Sequence, residues 1–176
     1  MRRLRYNVAV SLDGFIAGLD GDYDWILPDP DIDREVMPAL FAEFDTFVMG
    51  RKTYETIRAQ GDANPLLGQS LVVASTTLTE PDRPNIRFVA ENIVEAVADL
   101  KRQPGKDIWL FGGGHFARTL FDANLVDTVE ASVMPILLTE GLPLLPPGAR
   151  VKLTLESVRS FKSGIQMLSY AVSRDR

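Results

Sequence analysis

Three glycines, Gly112, Gly113 and Gly114, stand between an apolar run, Ile108 to Phe111, and a segment in which Phe116, Leu120 and Phe121 share one helical face. At a strand-to-helix junction, such a triplet offers bare backbone to a ligand. The first N–H groups of a helix have no intrahelical partner and carry partial positive charge, and glycine lets a phosphate approach without a side chain in the way. A pyrophosphate suits this turn; a tight connection without ligand is the alternative. The pattern is neither G-x-G-x-x-G nor a Walker A loop, because no Lys-Ser/Thr follows the glycines.

Two other junctions carry matching chemistry. Met49-Gly50-Arg51-Lys52-Thr53 repeats the order of strand, glycine and helix start, with two cations beside it. Ala74-Ser75-Thr76-Thr77 places hydroxyls after a strand. In a parallel sheet these strand C-termini line one edge, where ligands bind. Arg51, Lys52, Ser75 and Thr76 gathered there suit a further phosphate, such as the 2′-phosphate of NADPH. Taken singly, the cations read as exposed first-turn residues and the hydroxyls as a turn.

Acid–base candidates are few. The chain has no cysteine and one histidine, His115, which leaves no thiolate chemistry, no cysteine metal site and no ready Ser-His-Asp triad. Asp29, Asp31 and Asp33 cluster after Trp25. A carboxylate with a raised pKa could protonate a substrate or hold the water that does. Asp31 is assigned that catalytic role, against the alternative that all three are solvated helix-cap residues. Asp13 reads as a turn former with Gly14. Trp25 reads as a loop anchor or as a ring stacked on a flat substrate.

The elements that must hold these residues follow from periodicity. Tyr6, Val8 and Val10 alternate with Asn7, Ala9 and Ser11, a strand pattern. Residues 17–33 form a long Gly/Asp/Pro-rich loop. Helical spacing runs from about Asp33 to Glu43, with Pro38 starting or bending the helix. Short strands are expected at 46–49, 70–75, 86–89 and 108–111. Helices are expected at 51–58, through Ile93, Val97 and Leu100, and after the glycines. A long strand, 126–136, precedes a Pro/Gly-rich loop at 139–150. Two more strands end the chain, around Val151–Leu155 and at Ile165–Val172, with Lys162-Ser163-Gly164 as their turn. Alternating strands and helices predict an α/β fold: a mostly parallel sheet covered by helices, with antiparallel C-terminal strands. At 176 residues the chain is expected to be a single domain spanning 1–176.

Its net charge of −5 and lack of a long basic stretch speak against nucleic acid as a partner. No apolar run is long enough for a transmembrane helix, and no signal peptide is apparent. A cytoplasmic, small-molecule enzyme is expected. The apolar stretch from Val133 to Leu145, together with the C-terminal strands, suggests a homodimer.

These stretches together resemble the dihydrofolate reductase superfamily, most closely the branch with the reductase domain of bacterial riboflavin biosynthesis. The matching segments are VAVSLDGFIAG (8–18), DTFVMGRKTYE (45–55), LVVAST (71–76), WLFGGGHFARTLF (109–121) and LVDTVEASVMPILLTEGLPLL (125–145). The resemblance implies a dihydrofolate-reductase-like three-layer sandwich with NADPH across the strand ends. It implies cofactor contacts from Ala9, Ile16 and Ala17 near the nicotinamide, and from Gly50, Arg51, Lys52 and Thr53 at the phosphates. It adds Ser75 and Thr76 near the 2′-phosphate, and Gly112, Gly113, Gly114, Phe116 and Ala117 at the pyrophosphate turn. Two glycines of the triplet are implied to share a cis peptide bond, and Trp25 to lie on the active-site loop. The implied activity is reduction of 5-amino-6-(5-phosphoribosylamino)uracil, with dihydrofolate reduction, or cofactor binding without turnover, as alternatives. The chain departs from dihydrofolate reductase after W-x-L-P: a gapless reading puts Pro30 at the position of the acid. The zinc deaminase residues often fused to the riboflavin reductase are absent.

Overall fold

The strand Leu4–Ser11, β1, runs through the middle of the sheet with both faces covered. The computed structural model describes residues 1–173. The strands that join β1 in the main sheet are β3 (Phe44–Gly50), β4 (Ser70–Ala74), β5 (Ile86–Val89), β6 (Asp107–Gly112), β7 (Thr128–Met134), β9 (Leu153–Ser160) and β10 (Gln166–Val172). Their order is β5-β4-β3-β6-β1-β7-β10-β9. Every pairing from β5 to β7 is parallel, and β10 pairs antiparallel with both β7 and β9. A separate two-stranded ribbon pairs β2 (Phe15–Ala17) with β8 (Leu142–Pro143). These elements are too short to show a period in sequence, and neither was expected.

The helices form the outer layers. On one face α3 (Ile93–Arg102) and α4 (Gly114–Asp122) bury Val97, Leu100, Phe116, Ala117, Leu120 and Phe121 against Leu4, Tyr6, Val48 and Leu110. On the other, α1 (Met37–Phe41) and α2 (Arg51–Arg58) bury Leu40, Tyr54 and Ile57 against Phe47, Met49, Val73 and Trp109. The helix expected at 33–43 is two pieces, a π-helical turn at Ile32–Val36 and then α1. Pro38 sits in the first turn of α1, where its missing N–H is least costly.

The polar side chains of β1 do not face solvent. Arg5 and Asn7 are buried, both against Glu130 of neighbouring β7, with the Arg5 guanidinium 4.5 Å from the centre of the Phe44 ring. Arg5 forms a two-pronged pair with Glu130, Nε to Oε1 at 2.6 Å and Nη2 to Oε2 at 2.8 Å, and also pairs with Glu43. Asn7 donates to Glu130 Oε2 at 2.9 Å. Burial opposes charge on both partners, but the pairing wins: Arg5 is held above its ordinary pKa and Glu130 below its own.

A candidate dinucleotide cleft between β1 and β6

The chain order and the spatial order of the strands disagree at one place. β1 leads across to β3, β4 and β5 on one side; β6 then returns to the gap between β3 and β1, and β7 goes to the other side. Ligands of open parallel sheets bind at such a switch point, beyond the strand C-termini. Here β1 and β6 pair only over Leu4–Tyr6 and Ile108–Leu110. Beyond that they part, with Ala9 on one wall and Gly112 and Gly113 on the other. Trp109 closes the base of the fork, its Nε1 donating to the Asn7 carbonyl at 3.0 Å.

Two helix N-termini meet beside this cleft, on the side of β6 away from β1, because α2 follows β3 and α4 follows β6. Gly50 caps α2 and Gly113 caps α4, and neither helix has a side-chain cap on its first N–H groups. A Cβ on Gly113 would stand 3.4 Å from Thr53 Oγ1, and one on Gly112 would stand 3.8 Å from the same atom. These glycines therefore open a gap between the two helix starts that ordinary side chains would fill. The Gly112–Gly113 peptide is cis, at the bond the resemblance singled out. The third glycine does a different job. A Cβ on Gly114 would meet the Pro143 carbonyl oxygen at 2.7 Å and Pro146 Cδ at 3.2 Å, so Gly114 lets the 142–146 segment cross over the start of α4.

The cations and hydroxyls sit at the same edge. Arg51 is half exposed and pairs with Glu55 one turn along, at 2.8 Å, and Lys52 is exposed. Ser75 is buried, and its Oγ accepts from the N–H groups of Thr77 (3.2 Å) and Leu78 (2.9 Å), which folds the loop that presents exposed Thr76. Tyr54 donates to Asp82 at 2.8 Å, tying that loop's far end to α2; burial and Asp82 push the phenol up to about 12.

Other expected site residues lie elsewhere. Phe116 and Ala117 turn into the core, 9% and 0% exposed, and Phe116 packs against Gly50 rather than into the cleft. Trp25 is 6% exposed and packs with Met134 and Ile165, with its Nε1 on the Asp22 carbonyl, so it anchors its loop instead of offering a face to substrate. Asp31 is exposed and pairs with Arg34 at 2.9 Å. That is the setting of a surface carboxylate, not of a proton donor sheltered from water. Ile16 and Ala17 lie on β2, half buried beside the cleft.

Two carboxylates matter more than their sequence suggested. Asp29, 7% exposed, accepts from the N–H groups of Asp31 and Ile32 and from Ser163 Oγ. It starts the π-helical turn and ties it to the β9–β10 hairpin, and the Ser163 hydrogen bond is the main cause of its lowered pKa. The D-x-D spacing at 29–31 was the available signal for this cap. Asp13 forms the expected turn, Gly14 N–H to the Ser11 carbonyl at 3.0 Å, but its carboxylate also reaches residues 138 and 139, far along the chain. Nothing local in the sequence announces that contact. Among the described residues no cluster of carboxylates or histidine could hold a metal ion, and no helix is long and apolar enough to cross a membrane.

Comparison with known proteins agrees with this architecture. The chain is 35% identical over 181 residues to the uncharacterised protein YyaP of Bacillus subtilis, covering 96% of this chain and 94% of that one. It is 27% identical to a second uncharacterised protein of that bacterium, YwjB, covering 91% and 92%. A solved structure named for riboflavin biosynthesis, from Shewanella sp. PV-4, superposes with a TM-score of 0.84 at 26% identity, over 99% of this chain and all of that one. The diaminohydroxyphosphoribosylaminopyrimidine deaminase/5-amino-6-(5-phosphoribosylamino)uracil reductase of Thermotoga maritima shares the fold, with a TM-score of 0.74 at 14% identity; this chain spans 57% of its length. Residues 2–167 match the RibD C-terminal domain, and the chain belongs to that family.

Proposed function

We propose that this chain is an NADPH-dependent oxidoreductase that passes a hydride to a small heterocycle of the ribosylaminopyrimidine type. The observation that carries the reading is a continuous opening along one sheet edge: two helix N-termini without side-chain caps face each other across Gly113 and Thr53 at the adjoining ends of β3 and β6, next to the cleft where β1 and β6 part. A pyrophosphate suits that gap in charge and in the space the glycines leave. The Thermotoga maritima relative is named for reduction of an aminouracil, and that substrate class is transferred here by similarity.

When bound, the nicotinamide supplies the hydride. The chain's part is to bind, align and exclude water. The α2 and α4 N–H groups hold the phosphates. Arg51 and Lys52, with Thr76 across from them, take the 2′-phosphate, Arg51 exchanging its surface partner Glu55 for it. Ala9, small and half buried on the cleft wall, leaves room for a planar ring. Asp13 and Asp29 are already committed to backbone and serine donors, so the proton that completes the reduction comes from water. Loss of NADPH absorbance with a ribosylaminopyrimidine, and not with dihydrofolate, tests the reading; oxidation of NADPH by dihydrofolate alone would overturn the substrate class.

The commitment of those two carboxylates, together with the exposure of Asp31, also favours a second reading, in which NADPH binds without turnover. Binding with no oxidation across a panel of both substrate types would select it.

The assembly is proposed to be a cytoplasmic homodimer. The stretch from Val133 to Leu145 is spent within the chain, on the end of β7, on β8 and on the segment over α4. The uncovered surface is instead edge strand β9, exposed along its whole length with Leu153, Leu155 and Val158 each about half open to solvent. Sedimentation at twice the 19.5 kDa chain mass is expected, and a species of 19.5 kDa alone would refute it.

A further inference from the structure

The parting of β1 and β6 leaves the cleft with two walls that share no strand hydrogen bonds beyond Tyr6 and Leu110. The segment 136–146 bridges them at the mouth. It is held to the β1 side near both ends: Leu12 N–H donates to the Ile136 carbonyl, and Leu144 N–H to the Gly14 carbonyl, each at 2.9 Å. Between these points β8 pairs with β2. At its far end, Pro143 and Pro146 lie on Gly114, at the start of α4 on the β6 side. The 136–146 strap is thus the tie across the mouth of the fork.

One carboxylate shapes the strap. Asp13 accepts from Leu138 N–H at 3.1 Å and from Thr139 N–H at 2.7 Å. Ser11 orients it: Ser11 Oγ donates to Asp13 at 2.6 Å and accepts from Phe15 N–H at 2.9 Å. The strap is bent sharply where it is gripped. Thr139 has φ +67°, unusual for a β-branched residue, and Gly141 has φ +154°, with no room for a Cβ against the Ala17 carbonyl. A bend of that kind persists only where its surroundings enforce it.

We infer that Asp13 is a positioning residue: by gripping Leu138 and Thr139 it seats the strap across the β1–β6 fork and sets the fit of the nicotinamide half of the dinucleotide, leaving the adenylate half untouched. The adenylate side, around Arg51 and Thr76, belongs to α2 and the loop after β4, whereas the hydrogen bonds of the Asp13 carboxylate go to Ser11, Leu138 and Thr139. The inference rests on the NADPH reading proposed above.

The test is Asp13→Asn, which keeps the shape and one acceptor but turns an N–H donor toward one of the two strap amides. NADPH and 2′,5′-ADP, its adenylate fragment, are titrated against wild type and variant. NADPH affinity is expected to fall about tenfold with 2′,5′-ADP unchanged, the size expected when a charged acceptor is lost and a donor is left facing a donor. Ser11→Ala, which loosens the carboxylate and also removes the acceptor of Phe15 N–H, is expected to give the same pattern at smaller size, and it decides the matter if Asp13→Asn does not fold. Equal affinities in variant and wild type, or parallel loss of both ligands, would overturn the positioning role. Failure of wild type to bind either ligand would instead remove the cofactor reading on which it stands.

Discussion

Gly113 and Thr53 face each other at the adjoining ends of β6 and β3, and a single added carbon on the glycine would lie 3.4 Å from the threonine hydroxyl. The glycine belongs to the cap of α4 and the threonine to the first turn of α2, so the pair measures the gap between two helix starts. Neighbouring glycines in one triplet thereby have separable roles, and substitution separates them. Gly113→Val is expected to abolish NADPH binding while leaving thermal stability nearly unchanged, because its side chain enters the cleft. Gly114→Ala is expected to cost about 1–3 kcal/mol of stability, because its Cβ strikes the Pro143 carbonyl. Paired titrations and melting curves check both.

In the proposed reading, cofactor preference should depend on Arg51. Its guanidinium is half exposed and pairs with Glu55 along α2, a contact that a phosphate can displace. Arg51→Ala is expected to weaken NADPH binding by about ten- to a hundredfold, the loss of a charge-assisted pair, and to leave NADH binding unchanged. Equal loss for both dinucleotides would place Arg51 on a phosphate they share.

Stability should depend on pH through Glu130. Its folded pKa is lowered: burial opposes this, and the hydrogen bonds from Arg5 overcome it. A depressed carboxylate stabilises the fold fully above its unfolded value, near 4.5, and that contribution is lost as pH falls through the folded value. The melting temperature should therefore fall steeply below about pH 4.5 in the wild type. Glu130→Ala should cost about 3 kcal/mol at neutral pH, by taking the two-pronged partner from buried Arg5 and leaving it Glu43 and the longer contact to Asp107, and should flatten the acid limb of the curve.

Asp31 should be dispensable. As an exposed partner of Arg34 it is worth little to stability, and Asp31→Asn is expected to shift it by less than about 0.5 kcal/mol. Turnover, where a substrate is found, should be retained. A drop in kcat of about a hundredfold or more would restore Asp31 as the general acid.

Periodicity exposed most of the main sheet and helices α2, α3 and α4, because these elements bury apolar residues against the core, whereas β9 is exposed along its length. It did not show that Arg5 and Asn7, the polar residues of β1, are buried. The strand is central, and the ion pairs that satisfy those residues come from Glu43 and Glu130, residues that sequence alone does not bring near. The glycine triplet was legible as a ligand turn, but the different task of Gly114 was not, since it depends on Pro143 crossing from elsewhere in the chain. The same holds for Asp13. Its turn with Gly14 is local and readable, whereas its grip on Leu138 and Thr139 is a tertiary contact. Trp25 pointed to the site through the stretch that resembles the active-site loop, and Asp31 as one of the few carboxylates near it; burial in one case and exposure in the other assign them to anchoring and to the surface.

The most direct measurement is titration of the wild-type protein with NADPH and NADH, followed by quenching of the fluorescence of Trp25 and Trp109. Saturable binding that favours NADPH, and that Gly113→Val abolishes, is the expected result. No binding of either dinucleotide to the wild type would mean that the gap between Gly113 and Thr53 is only a tight turn, and the oxidoreductase assignment would fall with it.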